Sequence, residues 1–295
     1  MAKEKAVLVL ANNMNFFKLM VDNLPDSIDD FTLIVVNETR IGDKTFEIRS
    51  ILENSKCKDY KVFTSDLINQ KFKAEVIDNE FVEEYGMSMN ILSLWFVFKY
   101  NKNIKKILLL DDDVILREGF EDLFKTNHHL FKYNRLSAGP SEFSNQSSNA
   151  IAVYEEWFKI FDIEFSDDWW SNVYIKRYAN SGQRLIVRKS FDLERYECQL
   201  KKFFESEVFL EFWRNRRTHC SWFFDERFET FFFLNELNDD LNKSTYLILT
   251  RPEKMNDGCI KKMKKSSIIH NATNSHKNKV YNLMIEKGVI TGDKL

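Results

Sequence analysis

The chain is short of the residues that break and staple small folds, with 3 prolines and 8 glycines in 295 residues. So few turn formers argue against a sandwich of many short strands and for longer elements joined by polar loops. Its 4 cysteines, Cys57, Cys198, Cys220 and Cys259, form no CxxC pair and no zinc-like spacing. That leaves no recognisable structural zinc site and fits a reducing compartment. Lys plus Arg (43) falls just below Asp plus Glu (45), a net charge of −2, so no overall basic field draws the protein onto nucleic acid. No stretch reaches the ~18–20 consecutive apolar residues that a membrane helix needs. The short opening run Ala6–Ala11 ends in Asn-Asn without a small-residue cleavage site, so it reads as a first strand and not as a signal peptide. The expectation is a cytoplasmic protein with no membrane partner.

What is present describes a globular chain with a full core: 44% of residues are hydrophobic and 30% charged. Phe is unusually common at 27. With the many Asn, Lys and Ile, it points to an AT-rich coding source and to nothing chemical.

Four apolar runs read as strands covered on both faces: "AVLVLANN" (6–13), "FTLIVVNE" (31–38), "DYKVFTSD" (59–66) and "KKILLLDDD" (105–113). Between them lie helical patterns. "NFFKLMVDNLP" (15–25) stops at Pro25, "IGDKTFEIRSILENS" (41–55) is loop then helix, and "VEEYGMSMNILSLWFVFKYN" (82–101) puts Ile91, Leu94, Trp95 and Phe98 on one side. Strand and helix alternate, which predicts an α/β fold with a Rossmann-like, mostly parallel sheet flanked by helices. After Leu116 the rhythm changes. "SAGPSEFSNQSSN" (137–149) is loop-like, and the segments beyond it are rich in aromatics. With no repeat and no Pro- or Gly-rich linker, the reading is one domain over 1–295, a nucleotide-type half (1–116) followed by a more irregular half (117–295).

The sharpest feature is "ILLLDDDVIL". Asp111, Asp112 and Asp113 end a buried strand, and ligands of open α/β sheets bind at the carboxyl ends of strands. Alternation along a strand would aim Asp111 and Asp113 to one side and Asp112 to the other. Two carboxylates at i and i+2 suit a hard divalent cation that gathers diphosphate oxygens. The alternative is a set of capping or solvated loop acids. In "SSIIHNATNSHKNKVY" (266–281), His270 also ends an apolar segment. An imidazole is a good further ligand for Mn²⁺, and Lys277 a good partner for phosphate.

"ILLLDDDVIL" resembles the DXD motif of nucleotide-sugar glycosyltransferases of the GT-A type. The resemblance implies a GT-A-like domain using Mn²⁺ or Mg²⁺. Asp113 would ligate the metal, Asp111 would hold metal and ribose, and Asp112 would help hold the donor sugar or its loop. His270 and Lys277 resemble the C-terminal element in which a His completes the metal shell and a downstream Lys holds the diphosphate. His276 is a weaker candidate there. The family's Gly between them is missing, with Asn271, Asn274 and Ser275 in its place. "YANSGQRLIVRKSFD" (178–192) reads as a turn at Asn180-Ser181-Gly182 before a strand. It resembles the segment under the donor sugar, or is an ordinary hairpin turn. "WFFDERFETFF" (222–232) resembles the segment near which inverting enzymes carry a catalytic base. Asp225 is favoured, with Glu226 and Glu229 as alternatives; a retaining enzyme needs no such base, and the segment also fits an amphipathic helix with solvated acids.

The ends of the first and third strands, Ala11-Asn12-Asn13 and Thr64-Ser65-Asp66, are expected to flank the nucleobase. Trp169-Trp170 is a candidate stacking surface, while "RNRR" (214–217) and "KKMKK" (261–265) read as solvated basic clusters. The expected partners are a nucleotide-sugar donor, UDP-linked by preference, and a hydroxyl acceptor: a glycan, a small molecule, or a hydroxymethylated base in DNA if the source is a phage or large virus. Two other classes remain. A nucleotidyltransferase would use a similar fold, but "ANNMNFFKLM" lacks its Gly-rich basic loop. A non-catalytic nucleotide-binding protein would keep the fold without turnover.

Overall fold

The computed structural model describes residues 3–39, 42–84, 89–134, 155–164, 178–215, 224–233, 246–249, 256–271 and 276–295. In chain order the strands are β1 (Lys5–Ala11), β2 (Thr32–Asn37), β3 (Tyr60–Thr64), β4 (Lys106–Asp111), β5 (Val114–Leu116), β6 (Leu130–Asn134), β7 (Tyr178–Val187), β8 (Tyr246–Leu249) and β9 (Ile268–Asn271). The helices are α1 (Met14–Asp22), α2 (Thr45–Glu53), α3 (Ser65–Glu75), α4 (Phe81–Glu84), α5 (Met89–Tyr100), α6 (Leu193–Glu205), α7 (Glu207–Asn215), α8 (Phe224–Phe232), α9 (Asp257–Met263) and α10 (Lys277–Glu286). The chain gathers into two compact units. Met1–Thr64, Asn103–Asn127 and Asp240–Leu295 form the first, and Ser65–Lys102 and His128–Asp239 the second.

In the first unit, β1 to β4 lie in the order β3-β2-β1-β4, all parallel, as the mostly parallel central sheet that the apolar runs predict. Every residue of β2 is buried, and so is β1 from Ala6 to Ala11. Strands buried on both faces need aliphatic side chains on both, which is why these runs do not alternate with polar residues. After β1, the Asn13 side chain accepts from the Asn15 and Phe16 amides and caps α1, which buries Phe17, Leu19, Met20 and Val21. The helix ends at Asp22, with Asn23 as its cap, before Pro25 is reached.

A smaller sheet, β5-β9-β8, completes this unit. β5 runs antiparallel to β9, with Val114 opposite His270, and β8 is parallel to β9. Gly119 lets the chain leave β5. Its φ is 90°, and a Cβ there would come within 2.9 Å of Ser267 Oγ. α10 follows β9 and buries Val280, Tyr281 and Met284.

The second unit is held by rings. Trp157 stacks on Phe203 (centroids 5.4 Å apart, planes 10° apart) and lies 4.4 Å from Phe209. Tyr196 stands edge-on to Phe228 and Phe232. α5 and α6 are joined by Trp95 Nε1, which donates to Glu197 Oε1 at 2.7 Å, and by Lys99 Nζ, 2.6 Å from the same oxygen. Buried aromatics, stacked and edge-on, fill the interior of this unit.

Three expectations about elements change. The strand expected over 105–113 stops at Asp111, and Asp112-Asp113 form a turn into β5. The pattern over 82–101 is carried by α4 and α5, with residues 85–88 outside the described residues. The turn expected at Asn180-Ser181-Gly182 is instead part of β7. There the antiparallel register slips: two steps along β6, Phe131 to Tyr133, are matched by five along β7, Arg184 to Ala179. The polar, glycine-containing stretch is absorbed as a bulge inside a strand.

Candidate metal and nucleotide site

The carboxyl edge of the parallel sheet brings the candidate donor residues of the first unit together. Register places Ala11 opposite Asn37, Asn37 opposite Thr64, and Leu10 opposite Asp111. Thr64, Asn37, Ala11 and Asp111 therefore end the four parallel strands at one edge, and Asn12 and Asn13 follow Ala11 directly. A cavity of about 400 Å³ opens at this edge, lined by Asn12, Asn13, Met14, Asn15, Lys44 and Glu47.

The three aspartates do different things. Asp112 turns back to β1, and its Oδ2 accepts from the amides of Asn12 (2.6 Å) and Asn13 (2.5 Å). It ties the β1–α1 connection and adds negative charge at a helix N-terminus. Burial, with repulsion from Asp113 and Asp111, pushes its carboxyl up to about 7 against the pull of those two amides.

Asp111 and Asp113 turn the other way. With His270 they form a group whose candidate ligand atoms all lie within 4.8 Å of one another. Asp111 is half-buried, while Asp113 and His270 are buried. The convergence that strand alternation predicts is reached through a turn, because the turn at 112–113 reverses Asp113 toward β9.

Asp113 is the hub. Its carbonyl oxygen accepts from the Asn271 amide (3.1 Å) and the Tyr281 hydroxyl (2.7 Å), which fix the turn against β9 and α10. Its Oδ2 contacts Lys277 Nζ directly. His270 Nε2 stands 3.4 Å from Oδ1, beyond the roughly 2.7–3.2 Å of a good N–H···O bond. Oδ1 is buried and has no hydrogen-bond partner. Burial alone would raise this carboxyl, but His270 and Lys277 outweigh it and hold Asp113 below the usual carboxylate range. An orphaned carboxylate oxygen beside an imidazole and a second carboxylate is a donor set that suits Mn²⁺ or Mg²⁺.

Lys277 opens α10, its Nζ also 5.7 Å above the Phe16 ring. His276, one residue earlier, is exposed and makes no side-chain cap bond. Tyr281 and Asn37 are polar residues of this edge that sequence reading passes over. Asn37 is fully buried and donates to Asp43 Oδ1 at 3.0 Å. The only signal for it is a polar residue closing an aliphatic run, and the signal for Tyr281 is its position one helical turn after Lys277.

Ser65 and Asp66 begin α3. Asp225 and Glu226 fall in the first turn of α8, with side chains outside the described residues, as are those of Asn180, Ser181 and Gly182. Trp169, Trp170 and the 137–149 loop also lie outside them. Glu229 is fully buried, with its Oε1 2.5 Å from Arg184 Nη2, so it is already paired inside the second unit. Lys261, Lys262, Lys264 and Lys265 are exposed around the buried Met263. Of the "RNRR" cluster, Arg216 and Arg217 are outside the described residues. Among the described residues Cys57, Cys198 and Cys259 are free thiols, and no helix is long and apolar enough to cross a membrane.

No protein-family model matches the chain, and no curated protein matches it. Two solved structures that share its fold are glycosyltransferases. Mouse xyloside xylosyltransferase 1 in its apo form matches over 92% of this chain and 98% of its own, at 12% identity and a TM-score of 0.50. The apo WbbM bifunctional glycosyltransferase matches over 92% of this chain and 46% of its own, also at 12% identity, with a TM-score of 0.53. The chain has the mixed α/β fold of these enzymes.

Proposed function

We propose that this protein is a metal-dependent glycosyltransferase of the GT-A type, moving a sugar from a nucleoside-diphosphate donor to a hydroxyl acceptor. One observation carries the reading. Asp111, Asp113 and His270 converge at the carboxyl edge of a parallel sheet, with an orphaned carboxylate oxygen among them, in a chain that shares its fold with glycosyltransferases.

In this reading Asp111, Asp113 and His270 hold Mn²⁺ or Mg²⁺. When bound there, such an ion would supply positive charge for a departing diphosphate. Lys277 adds a second cation for the phosphate oxygens. Asn12, Asn13 and Thr64 border the nucleotide, and the cavity between Asn12 and Glu47 supports a nucleoside there. Asp112 acts as a positioning residue through the two amides it holds. As the acceptor oxygen bonds to the sugar carbon and the diphosphate leaves, Asp225, with Glu226 as its alternative, takes the acceptor proton if configuration is inverted. Asn180, Ser181 and Gly182 border the donor sugar.

UDP is the favoured nucleotide. A xylosyltransferase among the structural neighbours makes a pentose as reasonable a donor sugar as a hexose. A glycan, a small molecule and a hydroxymethylated DNA base remain the acceptor classes. The test is slow donor hydrolysis across UDP-xylose, UDP-glucose, UDP-galactose and GDP-mannose, with and without Mn²⁺. The expected result is Mn²⁺-dependent release of the nucleoside diphosphate from at least one donor, abolished in Asp113→Ala. Equal turnover with and without metal, or in that variant, contradicts the proposal.

A further inference from the structure

We infer that the Lys277 ammonium is a resident cation that a divalent ion must displace, and that its release couples metal binding to diphosphate binding. This rests on the metal reading of Asp111, Asp113 and His270.

The argument begins with charge. Asp113 is 5% exposed and carries a carboxylate that burial disfavours. Such a group needs a cation, and Lys277 provides one by direct contact with Oδ2. The other oxygen of the same carboxylate has no hydrogen-bond partner. The ligand set therefore presents one oxygen occupied by an ammonium and one left open, beside His270 and Asp111.

A divalent ion held by this set would share Asp113 with Lys277. Two cations on one small carboxylate repel strongly where water is scarce. The weaker and more mobile of the two gives way, and Lys277 can do so. Its side chain is 26% exposed against 6% for Asp113. Its long stem extends from the first residue of α10, where no neighbouring helical turn precedes it. An ammonium driven off Asp113 loses its counter-ion and becomes available to the next anion to arrive. A diphosphate is the anion the proposed reaction brings. Metal alone should thus bind against an internal competitor, and metal with diphosphate should bind cooperatively.

This predicts an unusual sign. Removing a positive charge beside a metal site by Lys277→Met should tighten Mn²⁺ binding in the absence of nucleotide by about tenfold or more, because no resident cation has to leave. The same variant should weaken UDP binding in the presence of Mn²⁺ by about tenfold and lose most of the cooperativity between the two. Calorimetric titration of Mn²⁺, UDP and the pair reads all three. Mn²⁺ affinity that is unchanged or weaker in Lys277→Met overturns the inference.

A measurement on the unmodified chain avoids dependence on that variant's folding. Acetylation of Lys277 by an N-hydroxysuccinimidyl ester, followed by peptide mass spectrometry, should speed up at least about twofold when Mn²⁺ alone is added. The exposed Lys279 two residues away should be unaffected and serves as the internal control. Unchanged or slower labelling of Lys277 overturns the inference if Mn²⁺ binds the chain and is lost in Asp113→Asn. Absence of Mn²⁺ binding in the unmodified chain removes the metal reading as well as the inference built on it.

Discussion

The two units bury acids in opposite ways. In the second unit, Glu229 is fully enclosed and is met by the equally enclosed Arg184, one acid against one guanidinium. In the first, Asp111 and Asp113 converge with His270 at the tip of β4, and Lys277 contacts Asp113. A matched buried pair is self-sufficient and needs nothing from solution. Two carboxylates and an imidazole converging at the carboxyl edge of a parallel sheet could hold a cation from outside. A carboxylate is thus matched by one guanidinium in one unit, while in the other two carboxylates share an edge with His270 and Lys277.

That contrast can be broken or sharpened by substitution. The largest effect is expected in the second unit. Glu229→Ala removes the acid paired with the enclosed Arg184 and should cost about 3–5 kcal/mol in denaturant unfolding. It should leave the Mn²⁺ affinity of the folded fraction unchanged. A small loss would mean that the pair is not the closed structural unit described here.

His129 gives the next effect. It is buried and neutral, accepting the Val187 amide through Nδ1 at 3.0 Å. Burial, with His128 nearby, holds it at about 4 despite the bond to the Ser190 carbonyl. The unfolded chain binds a proton near pH 6.5 while the folded chain does not, so stability should fall as pH drops from about 6.5 toward 4, by at most about 3 kcal/mol. His129→Gln should flatten that part of the pH–stability profile, and an unchanged slope would remove the assignment.

Asp112 tests the first unit from its structural side. Asp112→Ala leaves the Asn12 and Asn13 amides without their acceptor and should cost about 2 kcal/mol, while Asp112→Asn keeps an acceptor oxygen and should cost less. Either variant should change Mn²⁺ affinity only a few-fold, because Asp112 faces β1. A loss as large as that in Asp113→Ala would place Asp112 among the ligands.

The legibility of the molecule in its sequence follows the same division. β1, β2 and β4 are aliphatic on both faces because parallel strands are covered on both, and their short length and polar ends mark such runs as strands. Their ends announce the edge that carries Asp111, Asn12 and Asn37. Local signals could not show that Asp112 is drawn back by the amides of a loop about a hundred residues earlier, or that the strand stops at Asp111. Those outcomes depend on β1 lying beside β4. The Asn180-Ser181-Gly182 stretch departs from the expected turn for a related reason. Polar residues with a glycine signal a break, and only the partner strand β6 decides between a turn and a bulge. In the second unit the signal is weaker still, since Phe and Trp fill a core from helices and strands alike and carry no clear period.

The central claim is that Asp111, Asp113 and His270 hold a divalent cation. Crystals grown with Mn²⁺ and UDP, measured at a wavelength that gives anomalous scattering from manganese, test it directly. The account predicts one strong peak within about 2.0–2.3 Å of a carboxylate oxygen of Asp113 and of His270 Nε2. Bound UDP with no peak at that position, or a manganese peak elsewhere, would contradict it.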